Sequence, residues 1–167
     1  MNVYFFRIVI EELNTIRDDK DKIRKFLKEQ MSIKNNPREQ WTEKAWEGIH
    51  YLLYGKKWFD NKEREKGSLL YGYLLNPNIY EGYGSPLVQD EEEVKKISRH
   101  LKSFTKEELR KKYNPKQFTK LDIYPFGERW ESDPEYYFDY LLYHWEGLCK
   151  FYQEAVDNNE LVLVYWS

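Results

Sequence analysis

The chain has 167 residues, 41% of them hydrophobic and 34% charged, with a formal net charge of −2; this length and apolar content predict one folded domain over residues 1–167. The single cysteine, Cys149, cannot form an internal disulfide or a cysteine-based metal site. No apolar run approaches the roughly 18 residues that span a bilayer, and the N-terminus lacks a secretory signal pattern, so we expect a cytoplasmic protein with no membrane contact.

Both ends of the chain carry short apolar runs rich in β-branched and aromatic residues. Residues 3–10 (VYFFRIVI) and 161–166 (LVLVYW) each predict a strand that is buried on both faces. Two such strands pair most simply in one small sheet. After the first strand, residues 11–17 and 20–30 predict two short amphipathic helices, and residues 32–40 predict a loop.

A further helix and several irregular segments occupy the middle of the chain. Thr42 is a suitable N-cap for a helix that ends at Gly55, because glycine favours the left-handed conformation that follows a last helical turn. Residues 56–67 are polar and predict a loop or lid. Residues 68–75 fit either a helix or a strand, whereas residues 76–86 are dense in turn residues and predict irregular structure.

Capping residues mark the remaining helices. Asp90 and Thr105 are each followed three residues later by glutamate, which predicts two helices, and the second should end near Tyr113. Asp133, followed by proline, opens the longest helix, which runs to about Asn158. Its apolar side chains share one wide arc. Together these elements predict an α+β fold: a mostly helical domain with a small sheet that includes both terminal strands, and a long C-terminal helix.

Several segments, in their order along the chain, carry a family resemblance. They are KAWEGIHYLLYG at 44–55, GYG at 82–84, DEEEVKKISRHL at 90–101, IYP at 123–125 with Trp130, and YLLYHWEGLCKFYQEAVDNNELVLVYW at 140–166. In these segments the chain resembles the bacterial family called domain of unknown function 1877. The resemblance implies a compact α+β domain and no particular activity. The chain departs from the family pattern at residues 85–87 and in the basic residues of 56–67.

Charge is distributed unevenly along the chain. Residues 1–120 hold 25 Lys and Arg against 19 Asp and Glu, whereas residues 121–167 hold 2 against 10. Either the two regions neutralise each other, within the fold or across a homo-oligomer, or the acidic region binds a basic partner. We favour a non-catalytic protein-interaction module of the immunity or antitoxin kind, whose partner is a basic protein such as a nuclease toxin. The candidate partner-binding residues are Asp122, Glu128, Glu131, Asp133, Glu135 and Asp139.

A first alternative, a small-ligand-binding protein or a hydrolase, rests on two histidines. His50 and His144 each lie on the flank of an apolar helix face, beside aromatic residues. If the two flanks face each other they form one cleft, with Glu47 as a further weak catalytic candidate. Otherwise both imidazoles are hydrogen-bonded residues at the edge of the core. The GYG segment is either a turn or a rim that lies over a ligand. The candidate ligand-binding residues are Trp46, His50, Tyr54, Tyr80, Tyr83, Tyr140 and His144.

A second alternative is weak binding of nucleic acid through the basic residues from Lys95 to Lys120, with Phe104, Tyr113 and Phe118 available for stacking. The acidic net charge argues against it. His100, which lies among lysines, is expected on the surface. No His-x3-His or His-Glu-x2-His spacing is present, so we expect neither a metal nor a cofactor.

Overall fold

Five strands form one antiparallel sheet in the computed structural model, which describes residues 1–58, 68–78 and 84–167. The strands are β1 (Val3–Ile8), β2 (Glu39–Trp41), β3 (Tyr73–Leu74), β4 (Leu87–Gln89) and β5 (Leu161–Trp166). Their order across the sheet is β2-β1-β5-β4-β3. The two terminal strands therefore pair at the centre, with Val3 opposite Trp166 and Ile8 opposite Leu161, as the sequence predicts.

Helices account for most of the remaining chain, and the α+β class is confirmed. They are α1 (Ile10–Ile16), α2 (Lys20–Ser32), α3 (Trp46–Tyr54), α4 (Glu91–Lys102), α5 (Lys106–Lys112), α6 (Pro115–Lys120) and α7 (Pro134–Asp157), with a short 3-10 helix at Gly127–Glu131. None of the helices within the described ranges has both the length and the apolar character needed to cross a membrane.

Each face of the sheet packs against its own set of helices, because successive side chains of a strand point to opposite faces. Phe5 of β1 packs with α7, where its ring lies edge-on to those of Phe151 and Tyr152. Phe6, the next residue, packs on the other face against α2, edge-on to Phe26. The N-terminal strand thus contributes to two separate hydrophobic clusters.

Three of the predicted helix caps, Asp90, Thr105 and Asp133, are confirmed in their geometry. The Asp90 carboxylate accepts the backbone N–H of Glu93 at the start of α4, and Thr105 and Glu108 form a complete capping box at α5. At α7, the Asp133 carboxylate accepts the Tyr136 N–H at 3.2 Å. Satisfying these otherwise unpaired donors fixes where each helix begins.

Two local expectations are wrong, and one helix is not predicted. Thr42 does not cap α3: it is fully buried, its hydroxyl donates to the Val3 carbonyl at 3.1 Å, and the helix begins at Trp46. The loop expected over 32–40 ends in β2, which pairs with β1. The chain also resumes a helix, α6, directly after Asn114, whose side chain caps it.

The segment expected to be a loop or lid, residues 56–67, lies largely outside the described residues, as does most of GYG at 82–84. Within the described part, Gly55 has the predicted left-handed conformation with φ of +72°. Residues 68–70 form a turn before β3. Lys57 extends from the segment toward α6, and its ammonium donates to the Leu121 and Asp122 carbonyls at 2.9 and 3.3 Å.

Candidate functional site

The described residues do not form the single His50–His144 cleft that the helix flanks predict. Helix α3 faces α7 through the opposite side of its cylinder, where Gly48 lies directly against Leu141. An apolar layer that includes Ile49 of α3 occupies the space between the two helices. The two imidazoles consequently lie in two distinct environments.

His50 is fully buried in an aromatic cluster at the end of α3. Its Nδ1 lies 3.0 Å from the Lys56 carbonyl oxygen. The Tyr54 and Trp58 rings lie 4.7 and 5.6 Å from the imidazole, centroid to centroid. Full burial and a contact with a backbone carbonyl are the features that the core-edge interpretation predicts for His50.

His144 belongs to a second cluster, between α7 and the end of β2. It is 4% exposed, with the rings of Tyr140 and Tyr143 at 4.8 and 5.2 Å. Burial lowers the pKa of His144, while the charge of Glu43 and a hydrogen bond with the Trp41 backbone oppose that shift. Because desolvation disfavours the charged form, the pKa change favours the neutral imidazole.

Tyr140 connects this second cluster to the chain after β2. Its hydroxyl donates to Glu43 Oε2 at 3.3 Å and accepts the Lys44 N–H at the same distance. Burial raises the pKa of Tyr140. Glu43 has a φ of +48°, a conformation that is uncommon for a residue with a side chain. Tyr140 therefore holds the segment after β2 against α7.

The remaining candidates for the cleft are structural or undescribed. Glu47 is 1% exposed and its Oε2 accepts the Tyr124 N–H at 2.8 Å. Trp46 is fully buried, and its indole donates to the Met1 carbonyl at 3.3 Å. Tyr80 and Tyr83 lie outside the described residues.

His100 lies in an environment that differs clearly from the exposed surface position that the sequence predicts. It is only partly exposed, stacks on Tyr54 and lies edge-on to Phe104, so the expectation of a solvated surface histidine is wrong. Burial lowers the pKa of His100, and the charge of Lys112 acts in the same direction. The spacing of His100 and Phe104 on adjacent turns is the one local signal of this stack, but the contact with Tyr54 depends on tertiary packing.

All six predicted partner-binding carboxylates are exposed; we call them the acidic strip. They are Asp122, Glu128, Glu131, Asp133, Glu135 and Asp139. The same stretch of chain carries one basic residue, Arg129, which is also exposed. Glu135 contacts Arg110 of α5, so part of the neutralisation expected within the fold does occur. Asp133 is occupied as the cap of α7.

The basic stretch from Lys95 to Lys120 is divided among contacts within the chain. Lys96 lies 2.7 Å from Glu92, and the Lys112 ammonium lies 4.3 Å from the centroid of the Phe104 ring. Of the aromatic residues expected to stack on bases, Tyr113 is 8% exposed and Phe118 is fully buried, and Phe104 is half-buried in contact with Lys112 and His100.

The described residues contain no group of three or more His, Cys, Asp or Glu side chains arranged to hold a metal ion. Cys149 is partly buried on α7, and burial raises the pKa of its thiol to about 11. A thiol with such a pKa remains protonated at neutral pH and is a poor nucleophile.

The fold and its sequence place the chain in a family. Residues 1–165 match the model of the domain of unknown function 1877, and the chain belongs to that family. Its structure is similar to the crystal structure of YfbM, a protein of unknown function from Escherichia coli, with a TM-score of 0.71, 23% sequence identity and 98% of each chain covered. At this identity the likeness establishes the shared fold. The search of curated proteins finds no match.

Proposed function

We propose that the protein is a non-catalytic interaction module that binds a basic partner protein through the acidic strip. The observation that carries the proposal is the exposure of all six carboxylates in a stretch that contains a single basic side chain, Arg129. Complementary charge accelerates association and selects against partners of the wrong sign. An acidic surface of this kind suits a protein that binds and neutralises a basic toxin.

The position of the strip supports a binding role over a purely solvating one. Asp122 and Glu128 lie in the turn and 3-10 helix that precede α7, while Asp139 lies on the second turn of α7 itself. Helix α7 is anchored by core residues such as Leu148, which is fully buried. Charges mounted on a well-anchored helix lose little conformational freedom on binding, which lowers the cost of association.

The arrangement of the two histidines gives less support to the alternative of a ligand-binding or hydrolytic cleft. His50 and His144 are buried in separate aromatic clusters, and a general base must reach the proton that it abstracts. We therefore place the functional surface on the acidic strip.

The experiment compares the wild-type protein with a variant that neutralises the strip and spares the fold. The substitutions are D122N, E128Q, E131Q and D139N; Asp133 and Glu135 are retained because they cap α7 and contact Arg110. Asparagine tolerates the positive φ of Asp122, +50°. The matched control removes four basic charges from the other surface, with K95Q, R99Q, K102Q and K106Q.

Tagged versions of all three proteins are used to isolate partners from the native host, and the association rate is then measured with the purified partner. We expect a basic protein that binds wild type and control in a fixed ratio, with an association rate at least about tenfold lower for the neutralised variant at low salt. Equal rates for the variant and wild type, or the absence of any stoichiometric partner, would overturn the proposal.

A further inference from the structure

Helix α7 exposes a second feature beside the acidic strip, a row of residues in which two tyrosines are largely exposed and the other two members contact residues 40–44. Tyr136 is 61% exposed and Tyr143 is 72% exposed. Together with Tyr140 and Gly147, both partly exposed, they define what we call the tyrosine stripe. Exposed aromatic side chains that are grouped on one helix face are typical of surfaces that bind another protein.

The spacing of the stripe matches the face of a helix that packs against another helix. Residues 136, 140, 143 and 147 are separated by four, three and four positions, the repeat of a coiled-coil seam. Gly147 has no side chain and borders a groove of about 220 Å³, with Gln40 and Phe151 also on its wall. The stripe therefore offers two exposed rings followed by a recess.

The charges beside the stripe specify what kind of helix fits. Asp139 and Glu146 follow one flank of the stripe, and both are exposed. On the other flank, the Tyr140 hydroxyl donates to Glu43 and accepts the backbone N–H of Lys44. The acidic flank requires lysine or arginine on the facing edge of a partner helix.

We propose that the tyrosine stripe docks one amphipathic, basic helix of the partner protein, with apolar side chains on the rings and lysine or arginine against Asp139 and Glu146. This rests on the proposed function and adds the form of the ligand. Tyrosine is among the residues that most often dominate binding energy at interfaces. A second copy of the chain fits less well, because antiparallel pairing of two stripes brings Asp139 of each copy toward Glu146 of the other.

The test uses two synthetic helical peptides of 21 residues. Both have leucine at the heptad a and d positions; one has lysine at e and g, and the other has glutamate there. Binding to the whole protein is measured by titration calorimetry for wild type, Y143A, Y136A/Y143A and the control Y73A. Tyr73 is 44% exposed on β3, away from α7. Sedimentation of each protein alone reports self-association.

We expect the lysine peptide to bind wild type and Y73A equally, the double variant to bind at least about tenfold more weakly, and the glutamate peptide not to bind. Binding that is unchanged in Y136A/Y143A overturns the proposal. If the wild-type protein sediments as a dimer and Y136A/Y143A as a monomer, the proposal is also overturned, because the stripe then binds a second copy of the chain.

The double variant separates this proposal from the proposed function. It retains every carboxylate of the acidic strip. If the native partner binds Y136A/Y143A at wild-type affinity but no longer binds the strip-neutralised variant, the docking of a helix is overturned and the proposed function stands. A partner that binds both variants like wild type overturns both proposals.

Discussion

His100 stacks on Tyr54, with ring centroids 4.8 Å apart and ring planes inclined by 22°. The contact joins α4 to the end of α3, and Phe104 closes the far side of the imidazole at 5.3 Å. The Tyr54 hydroxyl in turn accepts the Leu69 N–H at 2.9 Å, just before β3. One imidazole thus helps to hold together three parts of the fold.

The first prediction concerns the pH dependence of stability. Burial lowers the pKa of His100 below that of an unfolded histidine, so the unfolded chain binds more protons in this range. The contribution of His100 to stability is therefore present above the ordinary histidine pKa and is lost as pH falls through the lower folded-state value. The free energy of unfolding, measured with urea, should decrease between pH 7.5 and 5.5.

His100→Phe provides the comparison, since phenylalanine keeps a ring against Tyr54 and removes the titrating group. The variant should lose less stability than wild type over the same pH interval. His144, whose pKa is also lowered by burial, is present in both proteins and does not affect the difference. An identical pH dependence in the two proteins would show that His100 titrates alike in the folded and unfolded states.

Local sequence signals predict those parts of the fold that are determined locally. The two terminal strands are found because their residues are mostly apolar and rich in β-branched and aromatic types, and α7 is found because Asp133 caps a long periodic segment. Strand β2 is missed because its three residues, EQW, acquire their conformation from pairing with β1. Helix α6 is missed because Asn114 serves both as the end of one helix and as the cap of the next.

In the candidate site, too, the sequence predicts local features but not those that depend on how the helices pack. Exposure of the acidic strip is predictable, because ionised carboxylates are costly to bury. The His50–His144 cleft is not, because it depends on how α3 is rotated against α7, and Gly48 sets that rotation by its contact with Leu141. The tyrosine stripe is also missed, since the sequence assigns Tyr140 to the apolar flank of α7 and leaves open which of its neighbours the core covers.

The second prediction concerns Glu47, a buried carboxylate that serves a structural role. Glu47→Ala removes the acceptor of the Tyr124 N–H, and a buried donor without an acceptor costs about 1–3 kcal/mol. Urea unfolding should show a loss of this size, and Glu47→Gln, which retains a carbonyl oxygen, a smaller one. The exposed Glu128→Ala is the control and should have little effect. If Glu47→Ala is as mild as Glu128→Ala, the hydrogen bond does not stabilise the fold.

The third prediction compares two helical glycines. A Cβ at Gly48 would lie 2.7 Å from Leu141 Cδ2, within the core, and overpacking of this kind costs about 1–3 kcal/mol. That cost exceeds the gain of about 1 kcal/mol from the better helix propensity of alanine. Gly48→Ala should therefore destabilise the protein.

At Gly147, by contrast, the three atoms nearest to a Cβ belong to the terminal amide of Gln40, at 2.8 to 3.0 Å. That flexible side chain can move away, so Gly147→Ala should keep most of the propensity gain and be neutral or stabilising. The two variants are compared by their urea midpoints. A Gly48→Ala protein more stable than wild type would mean that α3 and α7 separate readily and that their contact is not tightly packed.

The last prediction contrasts two buried tyrosine hydroxyls. Tyr152, on α7, donates to Gln89 Oε1 at 2.6 Å, and the Gln89 amide nitrogen donates to the carbonyls of Leu69 and Tyr71. Tyr152→Phe leaves a buried acceptor without its donor and should cost about 1–3 kcal/mol. Because Gln89 connects β4 to the chain before β3, the loss should also appear as faster amide exchange in those strands.

For Tyr113 the opposite result is expected. Within residues 1–58, 68–78 and 84–167, no atom hydrogen-bonds its buried hydroxyl, and burial raises the pKa of the group. Phenylalanine keeps the ring contacts with Phe118 and Phe138 and removes a polar group that is costly to desolvate. The free energy of unfolding of Tyr113→Phe should thus match or exceed that of the wild type. A decrease in this free energy as large as that of Tyr152→Phe would indicate that an ordered water bonds the Tyr113 hydroxyl.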